Sequence, residues 1–359
     1  MLVPAADRLP SNAAYLAHLN VAAEGARLVR LASNENTLPP SPRVREALLR
    51  AYDDANLYPA PLNPLRQALA ARHGVEVQAL AVGAGATEVI DAALRTFVRA
   101  GDEVVLATPS WAVYWRRLEA LEARLTEAPM RVDEHSYHYA IDDMLAAVTA
   151  RTKVVVLCTP NNPTGNVAAE ADARRLAETG CVVLLDQAYC DFAPGADLGR
   201  LAGEYDNVLA AYTFSKAHCL AGLRLGYMIG APQVMDYVDR FLVPGSSVSS
   251  AALHAGLAAL EDEAFHRGQI ERIIAERQRL IGVARGLGLR AFDSGGNFFA
   301  VDAAQYPGGP AGFAAAVLAH GVVIRVMSGL LRITVGTPDE NDALAAALER
   351  VVHAWPKGD

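Results

Sequence analysis

The chain reads VLAAYTFSK from Val208 to Lys216, an apolar, strand-like run that ends in a small, polar stretch containing a lysine. Only three of the 32 basic residues are lysines, and the other two, Lys153 and Lys357, precede an apolar run or lie near the C-terminus. An amine placed after a buried strand is partly desolvated, which lowers its pKa and makes it a nucleophile. Taken by itself, this segment is also compatible with Lys216 being an ordinary surface lysine.

The composition is typical of a globular protein with two domains. The chain has 359 residues, of which 52% are hydrophobic and 20% are charged. A net charge of −8 without a basic stripe argues against nucleic-acid binding. The four cysteines show no CxxC spacing, so we interpret them as reduced thiols of a cytoplasmic protein. We expect no signal peptide and no membrane contact, because no apolar run is long enough to span a bilayer.

Short apolar runs alternate with amphipathic helical stretches up to about residue 240. Six runs are rich in valine and leucine, which is typical of buried strands in a mostly parallel sheet with helices on both faces. We predict strands at Leu80–Val82, Val104–Ala107, Val154–Cys158, Cys181–Leu185, Val208–Tyr212 and Leu225–Ile229. Apolar residues at helical spacing predict a helix over Thr87–Val98.

The pattern changes after about residue 240. A long amphipathic helix is predicted over His266–Leu287, followed by short strands near Phe298–Val301, Val322–Val326 and Leu331–Val335 and a final helix. We therefore predict a large α/β domain at residues 42–240. Residues 1–41 and 241–359 would form an N-terminal arm and a small α+β domain, with the boundary at the loop 244–247.

Most polar motifs follow a predicted strand, at the edge of an α/β sheet where ligands bind. Gly85, Ala86 and Thr87 follow the first strand and begin a helix, whose N-terminal amides can hold an anion. The turn matches neither a P-loop nor a dinucleotide fingerprint, and alone it is more often an ordinary strand–helix connection than a phosphate site. Trp111 follows the second strand and can stack on a flat ring, although a core tryptophan is the commoner interpretation.

The later strands are followed by more specific motifs. The loop Asn161-Asn162-Pro163-Thr164-Gly165 is made rigid by its prolines and glycine, so its amides can point at a ligand. Asp186 ends a very apolar strand, where a carboxylate is costly unless it is paired, and a protonated cofactor nitrogen is a fitting partner. Tyr189 can contact an oxygen on the same ring. Ser215 and Arg224 can bind a phosphate beside Lys216, although Arg224 is equally suited to a surface ion pair.

An amine, a phosphate cup, an aromatic ring, an aspartate and a tyrosine together match pyridoxal 5′-phosphate (PLP). The lysine condenses with the aldehyde of this cofactor, and the aspartate keeps its ring nitrogen protonated, so that the ring acts as an electron sink. The sequence therefore predicts a PLP site.

The chain resembles fold-type I PLP-dependent aminotransferases, and more narrowly the histidinol-phosphate aminotransferase family. The motifs that carry the resemblance span nearly the whole chain in the family's order. They are Asn34-Glu35-Asn36, Tyr58-Pro59, Gly85-Ala86-Thr87-Glu88, Asn161-Asn162-Pro163-Thr164-Gly165, Asp186-Gln187-Ala188-Tyr189, Ser215-Lys216-Ala217, Ala221-Gly222-Leu223-Arg224-Leu225-Gly226, Gly296-Asn297-Phe298 and Leu331-Arg332-Ile333-Thr334-Val335-Gly336.

The resemblance implies a large domain with a mostly parallel, seven-stranded sheet flanked by helices, and a smaller α+β domain. It also implies a role for each residue around the cofactor. Lys216 holds PLP and carries protons between the substrate α-carbon and the cofactor C4′, while Asp186 pairs with the ring nitrogen. Tyr189 and Asn162 contact the ring oxygen, and Trp111 stacks on the ring, where the family usually has tyrosine. The phosphate is bound by residues of three loops, namely Gly85, Ala86, Thr87, Thr213, Ser215 and Arg224.

The resemblance also implies how substrates and subunits are arranged. Arg332 and Arg325 bind the substrate's anionic group, and Asn34 lies on the substrate side. Tyr58 reaches across from a second subunit, so the protein is expected to be a homodimer with shared active sites. The segment between Arg325 and Arg332 is shorter than is common in the family, and this departure touches the substrate pocket.

These features predict an enzyme that moves an amino group from histidinol phosphate or an aromatic amino acid to a 2-oxo acid, 2-oxoglutarate, by a ping-pong Schiff-base mechanism. A PLP-dependent decarboxylase of a phosphorylated amino acid, such as threonine phosphate, shares the architecture and is the alternative. A nucleotide-binding oxidoreductase built on the Gly83–Glu88 turn would leave Asp186 and Lys216 unexplained. A PLP-binding regulator would need a basic DNA-binding segment. We expect no metal, because His135 and His138 lack matching ligands.

Overall fold

The computed structural model describes residues 28–53, 55–59, 64–242 and 247–355. The predicted N-terminal arm lies largely outside these residues, as does most of the predicted boundary loop at 244–247. The strands are β1 (Val29–Arg30), β2 (Leu80–Gly83), β3 (Glu103–Thr108), β4 (Arg124–Pro129), β5 (Arg131–Val132), β6 (Tyr137–His138), β7 (Thr152–Cys158), β8 (Val182–Asp186), β9 (Val208–Thr213), β10 (Gly226–Ile229), β11 (Arg290–Ala291), β12 (Phe298–Asp302), β13 (Val322–Val323), β14 (Arg325–Met327) and β15 (Leu330–Thr334).

Helices cover both faces of the main sheet and one face of a smaller one. They are α1 (Pro42–Ala51), α2 (Pro64–His73), α3 (Ala86–Phe97), α4 (Val113–Ala120), α5 (Ile141–Ala146), α6 (Glu170–Ala177), α7 (Leu201–Glu204), α8 (Pro232–Asp239), α9 (Ser250–Glu261), α10 (Glu263–Gly286), α11 (Gly309–Ala319) and α12 (Pro338–His353). None of these described helices is both long enough and apolar enough to cross a membrane.

The main sheet has seven strands in the order β2-β10-β9-β8-β7-β3-β4. Strand β10 is antiparallel to both of its neighbours, and all other pairs are parallel. The central strands are buried on both faces, which explains their unbroken valine and leucine runs. The prediction of a mostly parallel, seven-stranded sheet flanked by helices is confirmed, and all six predicted strands are present within two residues of their predicted ends.

The position of one of the seven strands was not predicted. Strand β4 carries arginine, threonine and glutamate among its apolar residues, and every position except Ala128 is partly buried or exposed. It lies at the edge of the sheet, where charged side chains discourage pairing with another chain. Its composition therefore gives none of the continuous apolar signal of the central strands.

The C-terminal part contains a four-stranded antiparallel sheet in the order β11-β12-β15-β14. The predicted strand Val322–Val326 is two strands that separate at Ile324, because β13 pairs with β1 whereas β14 pairs with β15. Helix α9 contributes Ala252, Leu253 and Ala255 to the same apolar core as the main sheet. We therefore propose that the large unit extends through α9, past the predicted limit at residue 240.

Candidate active site

The carboxyl ends of the parallel strands meet around a cavity of about 370 Å³. This volume falls within the ~300–1,000 Å³ range of small-molecule pockets. Twelve of the fifteen predicted site residues line it: Ala86, Thr87, Trp111, Asn162, Asp186, Tyr189, Thr213, Ser215, Lys216, Arg224, Arg325 and Arg332. Gly85 adjoins this wall, Asn34 lies behind it and bonds Tyr189, and Tyr58 lies on the surface. Sequence reasoning gave no role to Ser33 and Glu35, which also line the cavity. Glu35 was marked only by its place in the Asn34-Glu35-Asn36 motif, and Ser33 directly precedes that motif.

Lys216 follows β9 and points its amine into this cavity. The Nζ atom donates to the backbone oxygen of Ser33 at 3.3 Å and lies 5.7 Å from the ring centroid of Tyr189. The pKa of Lys216 is lowered to about 7, mainly by burial and to a smaller extent by the charge of Arg332, while Glu35 acts in the opposite direction. A large fraction of the amine is therefore neutral at neutral pH, as a nucleophile requires.

Asp186 ends β8 with only 3% of its surface exposed. Its Oδ2 accepts a hydrogen bond from the Tyr114 hydroxyl at 2.5 Å, and its Oδ1 accepts one from the backbone amide of Ala188 at 3.1 Å. Burial raises the pKa of Asp186, and these two hydrogen bonds oppose that effect. Among the described residues, no cation forms an ion pair with this carboxylate. A buried acid in this position fits the protonated ring nitrogen of PLP.

Polar groups that fit a phosphate converge at the start of α3. Gly85 has φ +87°, and a Cβ atom there would lie 2.7 Å from the Nη2 atom of Arg224. The Arg224 guanidinium donates from Nη1 to the Ser215 hydroxyl at 3.4 Å, and Thr213 accepts the Ser215 amide at 3.1 Å. Glycine therefore lets a guanidinium, hydroxyls and a helix N-terminus approach one anion.

The two asparagines of the Asn161–Gly165 loop have different roles. Asn161 holds the loop in place, since its amide donates to the Pro109 carbonyl at 2.9 Å and its oxygen accepts from Ser110 at 2.8 Å. Asn162 lines the cavity, and its Oδ1 accepts from Nη1 of Arg332 at 2.8 Å. The second asparagine is thus the one placed to contact a ligand.

Arg325 and Arg332 are direct cross-strand partners in the hairpin of β14 and β15. The hairpin turns through Ser328 and Gly329, which both have positive φ, and this two-residue turn accounts for the short segment noted in the sequence. Directly opposite residues of an antiparallel pair share one face of the sheet. Both arginines consequently line the cavity.

Asn34 and Tyr58 are not among the described residues that line the cavity. Asn34 is fully buried and donates from Nδ2 to the Tyr189 hydroxyl at 3.0 Å. Tyr58 is 89% exposed on the surface of the chain. The substrate role of Asn34 and the intersubunit role of Tyr58 remain predictions.

Tyr114 is a buried residue of this site that sequence reasoning missed. Its ring packs edge-on against Trp111, with 5.4 Å between centroids, while its hydroxyl reaches Asp186. The sequence marks Tyr114 by its position three residues after Trp111, at the start of a helix.

The described residues contain no group of three or more metal-ligating side chains. His138 instead bonds Asp133 at 2.8 Å.

The fold and the cavity together define a fold-type I PLP-dependent enzyme. The chain belongs to the aminotransferase class I and II family, whose sequence model matches residues 26–348. The predicted class of enzyme and its PLP cofactor are thereby confirmed, and its substrates are a small-molecule amino donor and an acceptor.

Particular relatives narrow the resemblance. The chain is 37% identical over 328 residues to histidinol-phosphate aminotransferase 2 of Caulobacter vibrioides, covering 89% of this chain and 85% of the relative. It is 37% identical to histidinol-phosphate aminotransferase of an Anaeromyxobacter species, covering 92% of both chains. The crystal structure of histidinol-phosphate aminotransferase from Sinorhizobium meliloti with pyridoxal 5′-phosphate matches with a TM-score of 0.84, 29% identity and 98% of both chains covered.

Proposed function

We propose that the protein transfers the amino group of histidinol phosphate to a 2-oxo acid, 2-oxoglutarate. The names of its relatives support this donor. The alternative of a PLP-dependent decarboxylase is not favoured, because these relatives are aminotransferases.

The observation that carries the proposal is the pairing of Arg325 with Arg332. Like charges placed directly opposite on a sheet repel each other unless an anion lies between them. A phosphate dianion neutralises two guanidinium groups more fully than a single carboxylate does. Arg332 is 3% exposed and is held by Asn162 and by the backbone oxygen of Ala32, so its charge has a fixed position beside Lys216.

The chain's own residues have distinct tasks in the proposed reaction. Bound PLP supplies a ring that delocalises the electron pair released at the donor carbon. Lys216 removes the proton from the donor carbon that bears the nitrogen, since its amine is neutral near pH 7. Asp186 holds the proton at the cofactor's ring nitrogen, and the Trp111 ring lines one wall of the cavity.

The experiment compares donors with and without phosphate. Holoenzyme is assayed with 2-oxoglutarate and either histidinol phosphate, histidinol or phenylalanine, the last as the aromatic amino-acid candidate. We expect histidinol phosphate to give the highest kcat/KM. Arg325→Gln should lower the kcat/KM for histidinol phosphate about 10- to 100-fold, and it should lower the kcat/KM for phenylalanine less. A preference for phenylalanine, or an equal loss for both donors, would contradict the phosphate assignment.

We further propose a homodimer with shared active sites in the cytoplasm. The exposed Tyr58 is accompanied on the surface by three large apolar side chains, Leu49, Tyr52 and Leu57, each more than half exposed. An exposed apolar group of this kind is typical of a subunit interface. The four cysteines are free thiols, which supports a reducing compartment.

A further inference from the structure

Tyr114 contacts Asp186, and the sequence motifs assigned no role to this tyrosine. The residue lies in the first turn of α4 with none of its surface exposed, and its hydroxyl donates to Oδ2 of Asp186 at 2.5 Å. The other carboxylate oxygen accepts the Ala188 amide. Each oxygen thus has one donor and retains capacity to accept another, which suits a carboxylate that must also face a cofactor nitrogen.

The direction of this hydrogen bond is fixed by the surroundings of the phenol. Burial raises the pKa of Tyr114 well above its ordinary value, and the charge of Asp186 raises it further. Tyr114 therefore stays protonated and can donate to the carboxylate, as it does here. A donor held against a carboxylate favours its ionised form, so Tyr114 offsets part of the burial that would otherwise protonate Asp186.

The same helical turn also carries the aromatic ring of the cavity wall. The Tyr114 amide donates to the carbonyl of Trp111 at 3.1 Å, and the two rings pack edge-to-face at 89°. Tyr114 is further surrounded by buried apolar residues of α3 and the main sheet. Its hydroxyl consequently has little freedom to leave Asp186.

We propose that Tyr114 is a positioning residue that keeps Asp186 ionised and aimed at the ring nitrogen of PLP. It acts through Asp186 rather than on the substrate. Its effect on the cofactor must therefore vanish when Asp186 cannot be ionised. This requirement separates a positioning role from a simple packing role.

The first test is a double-mutant cycle on the dissociation constant of PLP, measured by equilibrium binding to apoprotein. Tyr114→Phe should weaken binding about 10- to 100-fold, as expected for loss of a hydrogen bond to a charged group. In the Asp186→Asn background the same change should alter binding less than about twofold. An equal loss in both backgrounds would show that Tyr114 only packs, and would overturn the proposal.

Tyr139→Phe is the matched control. Tyr139 is also a tyrosine with a raised pKa near Asp186, but its hydroxyl donates to the backbone oxygen of Cys158 instead. We expect this variant to bind PLP as the wild type does. If Tyr139→Phe weakens PLP binding as much as Tyr114→Phe does, the loss of any buried hydroxyl in this region has the same effect, and the proposal fails.

A second measurement follows Asp186 directly in the apoprotein. The infrared carboxyl band of Asp186 is isolated by difference from Asp186→Asn, and its pH midpoint should rise in Tyr114→Phe. The other titratable groups near Asp186 are Cys158, Tyr139, Tyr189 and Lys216. A midpoint that does not move in Tyr114→Phe would contradict the proposal.

Discussion

The side-chain amide of Asn34 donates a 3.0 Å hydrogen bond to the hydroxyl of Tyr189, linking residues 155 positions apart. Asn34 is itself held by the Thr334 hydroxyl, which donates to its Oδ1 at 3.1 Å. The segment after β1 is thereby tied both to the C-terminal sheet and to the cavity wall. Tyr189 keeps its ring in place because a residue from a distant part of the chain holds its hydroxyl.

We predict that Asn34→Ala weakens both stability and cofactor binding. The change leaves the buried hydroxyl of Tyr189 without this partner, which costs about 1–3 kcal/mol. Urea unfolding measures the loss of stability, and equilibrium binding measures PLP affinity. Asn341→Ala is the control, because Asn341 is equally buried but bonds Gly336 and Glu276 away from the cavity. It should lower stability and leave PLP affinity unchanged; an equal loss of affinity in both variants would contradict the assigned role of Asn34.

Much of the site could be predicted because its residues follow strands with a strong local signal. Asp186 is the last residue of β8, and Lys216 lies three residues after the end of β9. The unbroken apolar runs of these strands reveal both the strands and the positions where they end. Parallel pairing then brings the ends of such strands to one edge of the sheet. The order of these motifs along the chain was therefore enough to predict the cofactor site.

The features that escaped prediction depend on contacts between distant residues. The Tyr114 hydroxyl meets Asp186 across 72 positions, and nothing in the local pattern around Tyr114 names that partner. The split at Ile324 arises because β13 and β14 pair with different strands. Arg325 and Arg332 lie directly opposite each other because of the conformation of a two-residue turn. Hydrophobic periodicity indicates which residues are buried, but it does not specify which other strand or side chain a buried residue contacts.

The pH dependence of PLP capture should report the pKa of Lys216. The neutral amine is the reactive form, so the association rate with apoprotein should rise with pH and level off above about 7. Arg332→Gln removes a positive charge that lowers this pKa, and the profile should move to higher pH. Glu35→Gln removes a negative charge that raises it, and the profile should move to lower pH. Stopped-flow absorbance measures the rates, and shifts in the same direction for both variants would contradict the assignment.

Subunit mixing tests the proposed role of Tyr58. Lys216→Ala and Tyr58→Ala proteins are expected to have little activity alone. If Tyr58 completes the partner's site, half of the randomly mixed dimers contain one intact site, and the mixture recovers roughly a quarter of wild-type activity. Activity that stays at the mean of the two parents would contradict a shared site.

Two packed histidines predict a loss of stability in acid. The rings of His218 and His266 lie 4.9 Å apart. Burial lowers the pKa of His218 from 6.5 to about 3, with smaller contributions from His266 and Arg72, and burial also lowers the pKa of His266. Because both folded-state pKa values are depressed, their contribution to stability is complete above pH 6.5 and is lost as the pH falls toward about 3.

The urea midpoint of the wild type should therefore decrease over this pH range. His218→Phe should show a smaller decrease, since it removes the more strongly shifted group and retains a ring beside Phe214. Identical pH dependence in the two proteins would contradict this interpretation.

The most direct measurement locates the covalent attachment of PLP. Apoprotein is saturated with PLP, reduced with borohydride and digested, and mass spectrometry identifies the modified lysine. The chain offers three candidates, Lys153, Lys216 and Lys357. We predict that the reduced adduct is on Lys216 alone. An adduct on either of the other lysines in place of Lys216, or no adduct at all, would contradict the account of this site.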